Sequence, residues 1–581
     1  MRVRGRFDGS TAAGGCLVAV VLVLLSAVAS CVDTSTHMTG PGAGGSGAGT
    51  GSGGTSGGAG GGQPLPFFRD YTDRTAPPFV GGGTAPPADP GSSVSVSVDA
   101  SQVLRSLPPT LFGNNTATWT GGTDFSATGY ARLSAAGVSF LRFPGGSTAD
   151  VYHWDGQYPS FVASDSYNSQ SWALSTVQFV QLVRRLGGIP VITANYGYAS
   201  YDTTATDGNV QNAATLAANW VEYCNAPNDG SNPNGGTDWA AQRAADGAPD
   251  PLAVSYWEIG NEVFGNWETG YDPIGTTYAA NFNTIADAMK AVDPTISVGL
   301  VVDPTPTYAS WTKTVLSYPG TAARADFLIV HTYFNSFSSA ASLTAPTLFA
   351  QSPHVADLKA ALDALVTANT TRSPSDLPYY MSEYNVPGPV NSLQIALASG
   401  LFIADVMGEL AGSGWAAASL WDVVNGYDTS GAYGPGDLGF LSLNQPSVPD
   451  LTPRPTYYDF YFFNRNFGDH LVAATSSDPA VTAYASTFTG GGTGIVLVNE
   501  ATDARTLSLS VSGISTTGQG NVWILSGPDV AGPSVTLNGV GNGYPAGGPL
   551  PDSVVPYVVA TAGGATTLDV PGSSVTSIIL Y

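Results

Sequence analysis

The sequence predicts an α/β protein built on a closed (β/α)8 TIM barrel and followed by a C-terminal β-sandwich. Three observations carry that expectation. Eight short apolar runs recur from about residue 108, each ending in polar or glycine residues. Stretches with apolar positions three and four apart separate most of them, the period of helices packed by one face. The series spans roughly 350 residues, within the size range of eightfold barrels. Alternating strands and helices imply a parallel sheet covered on both faces. An open doubly wound sheet fits that alternation too, but the count of eight and the polar strand ends favour closure. No GxGxxG or GxxxxGK(S/T) turn follows any of the runs, and "FPGGSTAD" matches neither.

Taken in order, the runs are "TLFGNN", "SFLRFPGG", "PVITANYG", "YWEIGNE", "SVGLVVD", "FLIVHTYF", "YYMSEYN" and "ASLWDVVN". The clearest helical stretches between them are "SWALSTVQFVQLVRRLG", "TYAANFNTIADAMKAVD", "VADLKAALDALVTAN" and "LQIALASGLFIADVMGELAGSG". The first crossover, "YARLSAAG", is weaker and the fifth, "SWTKTVLSYPG", is short; "PTYYDFYFFNRNFG" suits a closing helix. From residue 468 the pattern changes to short alternating strands parted by Gly, Thr and Pro, among them "GIVLVNEA", "RTLSLSVSG", "GNVWILSG" and "VTSIILY", the signature of a β-sandwich. The strict alternation of "SVSVSVDA" marks an early half-buried strand that also fits this sheet. The expected domains are a signal peptide at 1–30, a flexible tether at 31–92, the barrel at 93–467 and the sandwich at 468–581.

The N-terminus reads as an export signal. Arg2, Arg4 and Arg6 precede "CLVAVVLVLLSAVAS", an apolar run too short for a comfortable membrane span, which ends in small residues at "VASC". That ending resembles a bacterial lipobox, which implies lipidation of Cys31 and a membrane-anchored protein at the cell surface or in the periplasm. The Gly- and Ser-rich stretch that follows cannot bury enough surface to fold. With Cys16 in the signal and Cys31 acylated, Cys224 stands alone in the folded part, so no intrachain disulfide is expected. Cys224 sits at helical spacing from Trp220 in "ANWVEYCN" and reads as a buried thiol. A net charge of -24 repels polyanions and argues against nucleic acid as a partner. The 5 His are scattered with no HExxH, and no GxSxG stands before any helix, so neither a metal hydrolase nor a serine hydrolase is indicated; no cofactor or metal is expected.

The C-terminal ends of barrel strands share one pocket, where distant residues meet. Glu262 ends the fourth run and Glu383 the seventh. Two carboxylates facing each other suit cleavage of a glycosidic bond, one protonated to assist the leaving group and one ionised to attack. A single Glu at a strand end is more often solvated or structural; two at matching strand ends make a stronger signal.

"YWEIGNEVFGN", together with "LRFPGGSTADVYHW" and "AAQRAADGAPDPLAVSYWEIGNE" in the same order and spacing, resembles glycoside hydrolase family 51 of clan A, whose typical members are α-L-arabinofuranosidases. The resemblance implies that Glu262 is the general acid/base, that Glu383 is the nucleophile, and that configuration is retained. It implies that Asn261 bonds the sugar 2-hydroxyl, that Arg142 pairs with the nucleophile and keeps it ionised, and that Tyr333 donates to Glu383. His331 shares a face with Tyr333 and is read either as a site residue or as a satisfied core histidine. Trp421 is either a stacking floor for a sugar or core, and Asn195, at the end of the third run, is a further candidate substrate contact. Glu258, four residues before Glu262 on the same strand face and deeper in the barrel, is expected to be structural.

Two departures from the family pattern bear on the sugar. Ala117 stands where a first-strand glutamate grips arabinose hydroxyls, with Asn114 and Asn115 nearby, and the nucleophile motif reads "SEYNVPGP" without its usual aromatics. The reaction class is therefore better supported than the sugar; the partner the resemblance implies is a plant-type polysaccharide or oligosaccharide. Another clan A activity, β-xylosidase or endo-glucanase, and a non-catalytic glycan-binding lipoprotein are the alternatives. The sequence leaves the oligomeric state open.

Overall fold

Eight strands close a parallel barrel at the places the apolar runs mark. The computed structural model describes residues 73–581 apart from 121, 157–173, 201–208, 335–338, 340–341 and 515–516. The signal peptide, Cys31 and the glycine-rich stretch lie outside the described residues. An early strand, β1 (Ser92–Ser106), precedes the barrel strands β2 (Gly113–Asn115), β3 (Phe140–Phe143), β4 (Ile189–Ala194), β5 (Tyr256–Ile259), β6 (Ser297–Val301), β7 (Phe327–Thr332), β8 (Tyr379–Tyr384) and β9 (Ala417–Leu420). Their neighbours pair in parallel in chain order, and β2 pairs with β9 to shut the ring. Strands β3, β5, β6 and β9 are buried at every position, which is why they read as continuous apolar runs rather than as alternation.

Helices occupy the predicted crossovers: Ala127–Ala136, Thr176–Arg185, Thr276–Val292, Ala309–Ser317, His354–Asn369, Leu397–Ser413 and the closing Pro455–Arg465. Local chemistry sets several of their ends. Ser175 and Gln178 form a reciprocal capping box, and Gly137 ends the first helix at φ 72, a left-handed cap that glycine adopts without strain. Two helices, Val210–Asn225 and Trp239–Ala245, fill the long connection between β4 and β5. Cys224 lies fully buried on the first of these. Among the described residues no helix is long and apolar enough to cross a membrane.

The C-terminal region adds β10 (His470–Ser476), β11 (Val481–Thr487), β12 (Thr493–Asn499), β13 (Arg505–Ser512), β14 (Gln519–Ser526), β15 (Thr536–Leu537), β16 (Tyr557–Ala560), β17 (Ala565–Val570) and β18 (Ser574–Leu580). With β1 they make a ten-stranded mixed sheet around a second apolar core. Val94, Val96 and Val98 enter that core beside Leu507, Leu509, Ile495 and Ile578. The opposite faces of β12, β14 and β18 send Val496, Val498, Trp523, Leu525 and Ile579 into the barrel's core. Helix Leu397–Ser413, apolar on nearly every side, fills the seam between the barrel and this sheet.

Two expected borders move. β1 pairs antiparallel with β10 and parallel with β13, so residues 92–106 belong to the C-terminal sheet and the barrel starts after them, not at residue 93. The end of the expected tether is also fixed: the Asn521 side chain bonds both the N–H and the C=O of Val80, Arg74 N–H donates to Asp469, and Val558 N–H donates to the Thr84 carbonyl. Proline-rich backbone with unused polar groups is thus held by the sheet instead of by water.

Candidate active site

Arg142 organises the pocket. It projects from β3 with no solvent exposure, and each nitrogen of its guanidinium has a partner. Nε donates to Glu258 Oε2 at 2.6 Å, Nη1 to Glu383 Oε1 at 2.8 Å and to Asn115 Oδ1 at 3.1 Å, and Nη2 to Asn261 Oδ1 at 3.0 Å. Glu258, deeper on β5, also accepts from Thr193 Oγ1 at 2.9 Å. It anchors the arginine, as its position below the rim predicts. Burial alone would weaken the guanidinium's hold on its proton, but the two carboxylates reverse that and raise its pKa.

Glu383 Oε2 accepts from the Tyr333 hydroxyl at 2.7 Å, so Arg142 and Tyr333 between them hold both nucleophile oxygens. His331 pairs in register with Glu383 across β7 and β8, where a bulge brings the two side chains level. Its Nδ1 lies 2.9 Å from Glu262 Oε1 and 3.7 Å from Glu383 Oε2, and its Nε2 contacts Ser382 Oγ at 2.9 Å. The imidazole is therefore a site residue joining the two carboxyls, not a satisfied core histidine apart from them.

Glu262 takes φ 42 just beyond β5, following Gly260 at φ 85. That turn aims the carboxyl inward, and a left-handed glutamate is a strained conformation of the kind that clusters at functional sites. The chain then doubles back, with Gly265 N–H on the Glu262 carbonyl at 2.6 Å, and delivers Trp267 Nε1 to Glu262 Oε2 at 2.8 Å. Burial favours the neutral acid, but the His331 hydrogen bond and charge, the Trp267 bond and the Arg142 charge outweigh it, so the Glu262 pKa sits below its ordinary value. His331 moves the other way: burial opposes its charge, and the Glu383 and Glu262 carboxylates more than compensate.

Ligand atoms of Glu262, His331 and Glu383 all lie within 4.8 Å of one another. This is also the one group among the described residues with a spacing that could hold a metal ion. Each of the four carboxylate oxygens already accepts a hydrogen bond from Arg142, Tyr333, His331 or Trp267, which is the arrangement of an acid pair prepared for proton transfer.

The remaining candidates divide. Asn261 Oδ1 faces Arg142 while its Nδ2 donates to Glu268 Oε1 at 3.0 Å, which leaves one N–H and one lone pair for a ligand. Trp421 follows β9, and its ring lies over the glycines of "FPGG". A Cβ on Gly146 would come within 2.7 Å of it, and both Gly145 and Gly146 have positive φ. Asn195 is buried, and both ends of its amide hold backbone: Nδ2 donates to the Tyr152 carbonyl at 3.2 Å and Oδ1 accepts Tyr198 N–H at 2.9 Å, with one N–H and one lone pair left over as in Asn261. It braces the loop after β4. Ala117 is buried, and Asn115 serves Arg142 and the carbonyls of Ser382 and Leu420.

Sequence reasoning missed Trp267, Glu268, Asp150, Ser382 and Asp303. Trp267 and Glu268 follow "YWEIGNEVFGN" directly, yet nothing local shows that the turn folds them back over Glu262. Asp303, after β6, is lifted to about 6 by burial and by the Glu262 charge, against bonds from Thr305.

The model of the α-L-arabinofuranosidase 1 domain matches residues 132–337, which include Arg142, Glu262 and His331 and end before Glu383. The chain resembles the α-L-arabinofuranosidases. A probable α-L-arabinofuranosidase C of Aspergillus clavatus is 27% identical over 230 residues, 37% of this chain and 41% of the relative. An intracellular exo-α-(1→5)-L-arabinofuranosidase of Halalkalibacterium halodurans is 27% identical over 212 residues, 34% of this chain and 37% of the relative. The chain thus spans about two fifths of the length of the curated relatives it matches. The family 51 α-L-arabinofuranosidase from Thermotoga petrophila superposes with a TM-score of 0.62 over 84% of this chain and 100% of that one at 21% identity, which shows a shared fold.

Proposed function

We propose that the protein is a retaining glycoside hydrolase of α-L-arabinofuranosidase type, acting on plant-type polysaccharide or oligosaccharide by double displacement. The observation that carries the reading is the approach of Glu262 and Glu383 to within 4.8 Å across the barrel mouth. A retaining pair stands about 5 to 5.5 Å apart, while an inverting pair leaves a wider gap for water.

In the first step Glu383 attacks the anomeric carbon, the glycosidic C–O bond breaks, and the leaving oxygen takes a proton from Glu262. His331 supplies the reservoir. Passing its Nδ1 proton along the 2.9 Å Nδ1–Oε1 hydrogen bond to Glu262 converts an ion pair into two neutral groups, which a dry pocket favours once substrate displaces water. In the second step water attacks the same carbon, Glu262 accepts its proton, and the ester to Glu383 breaks to restore the carboxylate. The His331 and Trp267 bonds that lower the Glu262 pKa favour its ionised form, which suits this base step. Arg142 and Tyr333 stabilise Glu383 as a carboxylate and as a leaving group.

The test is a panel of aryl glycosides led by the α-L-arabinofuranoside, with wild type, Glu262→Ala and Glu383→Ala. Wild type should release the aglycone with retention, and azide should restore turnover to Glu383→Ala with inverted product. A folded protein that binds glycans but cleaves none of them would refute the reading in favour of a binding protein.

We also propose export and lipid anchoring through Cys31, supported by the arginine-flanked apolar run and the "VASC" ending. Fatty-acid labelling of wild type, lost in Cys31→Ser with release of the protein from the membrane fraction, is the expected result.

A further inference from the structure

The pocket holds another carboxyl that the double displacement does not use. Glu268 is 6% exposed, six residues beyond Glu262 on the turn that folds back over the pocket. Its Oε1 accepts two hydrogen bonds, from Ser147 Oγ at 2.6 Å and from Asn261 Nδ2 at 3.0 Å. Its Oε2 is buried and has no partner. Among the described residues no cation forms an ion pair with Glu268, and the ionisable groups that act on it most, Asp150 from the loop after β3 and Glu262, are both acids. A buried carboxylate in such surroundings has nothing to offset its lost hydration. A carboxylic acid that accepts twice at Oε1 and carries its proton on Oε2 satisfies the same contacts without a charge. Burial lifts the pKa of Asp150 as well, to about 8, although its carboxyl accepts the backbone N–H of Asn261 at 3.2 Å and of Tyr196 at 3.3 Å and feels the Arg142 charge.

The position of Glu268 gives this neutral group work to do. It is the outer end of a chain of hydrogen bonds that runs through Asn261 and Arg142 to Glu383. Arg142 fixes the Oδ1 end of the Asn261 amide and Glu268 fixes one N–H of the other end. The second N–H is then left with a single direction. We propose that Glu268, held as a neutral carboxylic acid, is the positioning residue that fixes the Asn261 amide for a sugar hydroxyl. The inference rests on the glycosidase reading above for what Asn261 meets. Burial and the like charges of Asp150 and Glu262 hold the Glu268 proton well above the ordinary carboxyl range. The groups facing it are Ser147 and Asp150 from the β3 side and Asn261 and Glu262 from the β5 side, with Arg142 one bond further in. Ionisation adds a negative charge beside the acids Asp150 and Glu262, and repulsion then displaces the Glu268 carboxylate, and with it the Asn261 amide, from this position.

The experiment compares full-length wild type, Glu268→Gln and Glu268→Ala on an aryl α-L-arabinofuranoside across the pH range, with infrared difference spectra of the same proteins and melting curves to establish folding. Glu268→Gln keeps an acceptor at Oε1 and a neutral group in place of Oε2. It should stay within about threefold of the wild-type kcat at neutral pH while extending the alkaline limb. Glu268→Ala should lower kcat about tenfold with little change in KM, because a hydroxyl contact that tightens in the transition state acts on kcat. The wild type minus Glu268→Gln spectrum at neutral pH should show the carbonyl stretch of a protonated acid. Superimposable pH profiles for wild type and Glu268→Gln, wild-type kinetics in Glu268→Ala, or absence of that band each overturn the proposal. An inactive wild type instead overturns the glycosidase reading, and the infrared band then decides the state of Glu268 by itself.

Discussion

Replacing Arg142 by methionine removes the one cation between Glu258 and Glu383 and keeps most of the side chain's volume. Arg142 and Glu258 have no side-chain exposure and Glu383 has 5%, so water cannot substitute for the guanidinium. Breaking a buried ion pair from one side costs about 3 to 5 kcal/mol, because the remaining charge is left uncompensated. Here Glu258 is stranded and Glu383 keeps only Tyr333 and His331, while the Asn115 and Asn261 carbonyl oxygens lose the N–H groups they accept from at 3.1 and 3.0 Å. The destabilisation should therefore reach the upper part of that range. The assay is denaturant unfolding at neutral pH, in which the midpoint falls at constant slope if only stability has changed. Adding Glu258→Gln to Arg142→Met removes one stranded charge and should recover part of the loss, with a coupling of about 0.5 to 3 kcal/mol between the two sites. kcat should fall at least tenfold, since Glu383 loses a charge-assisted bond of about 1.5 to 3 kcal/mol. A loss of stability under about 1 kcal/mol, or no recovery in the double variant, would show that Arg142 is not what compensates these carboxylates.

Three further outcomes follow from the same contacts. Tyr333→Phe deletes the 2.7 Å bond to Glu383 and should lower kcat about tenfold or more with the fold intact, measured by steady-state kinetics and melting temperature. His331→Phe removes the hydrogen bond and charge that depress the Glu262 pKa; the Glu262 proton is then held to higher pH, and the pH optimum for turnover should move in the alkaline direction. Asp303 has a folded pKa of about 6, above its ordinary 3.8, so its contribution to stability is full below about pH 4 and is lost as pH rises through 6. Asp303→Asn should accordingly stabilise the protein at neutral pH by about 2 to 3 kcal/mol and flatten the stability profile between pH 4 and 7.

The family resemblance pointed to Arg142, and the amino-acid pattern alone marked the eight barrel strands, most of the helices and the two strand-end carboxylates. These are features of local period: a parallel strand buried on both faces reads as an apolar run, a crossover helix repeats every three or four residues, and a rim carboxylate ends a run. Tertiary structure decided what those groups touch. The alternation of β1 showed a half-buried strand, but its partners β10 and β13 lie hundreds of residues away, and no pattern within β1 names them. Asn195 ends its strand as the site residues do, yet it turns to brace backbone. His331 had two readings until the β7 and β8 register set it between Glu262 and Glu383. Trp267 and Glu268 gave no periodic signal, because they reach the pocket through the tight turn at Gly265, where backbone dihedrals rather than side-chain spacing set direction. Spacing along a chain fixes which face a residue takes on its own element, whereas contact across a pocket depends on how elements distant in sequence are registered and turned.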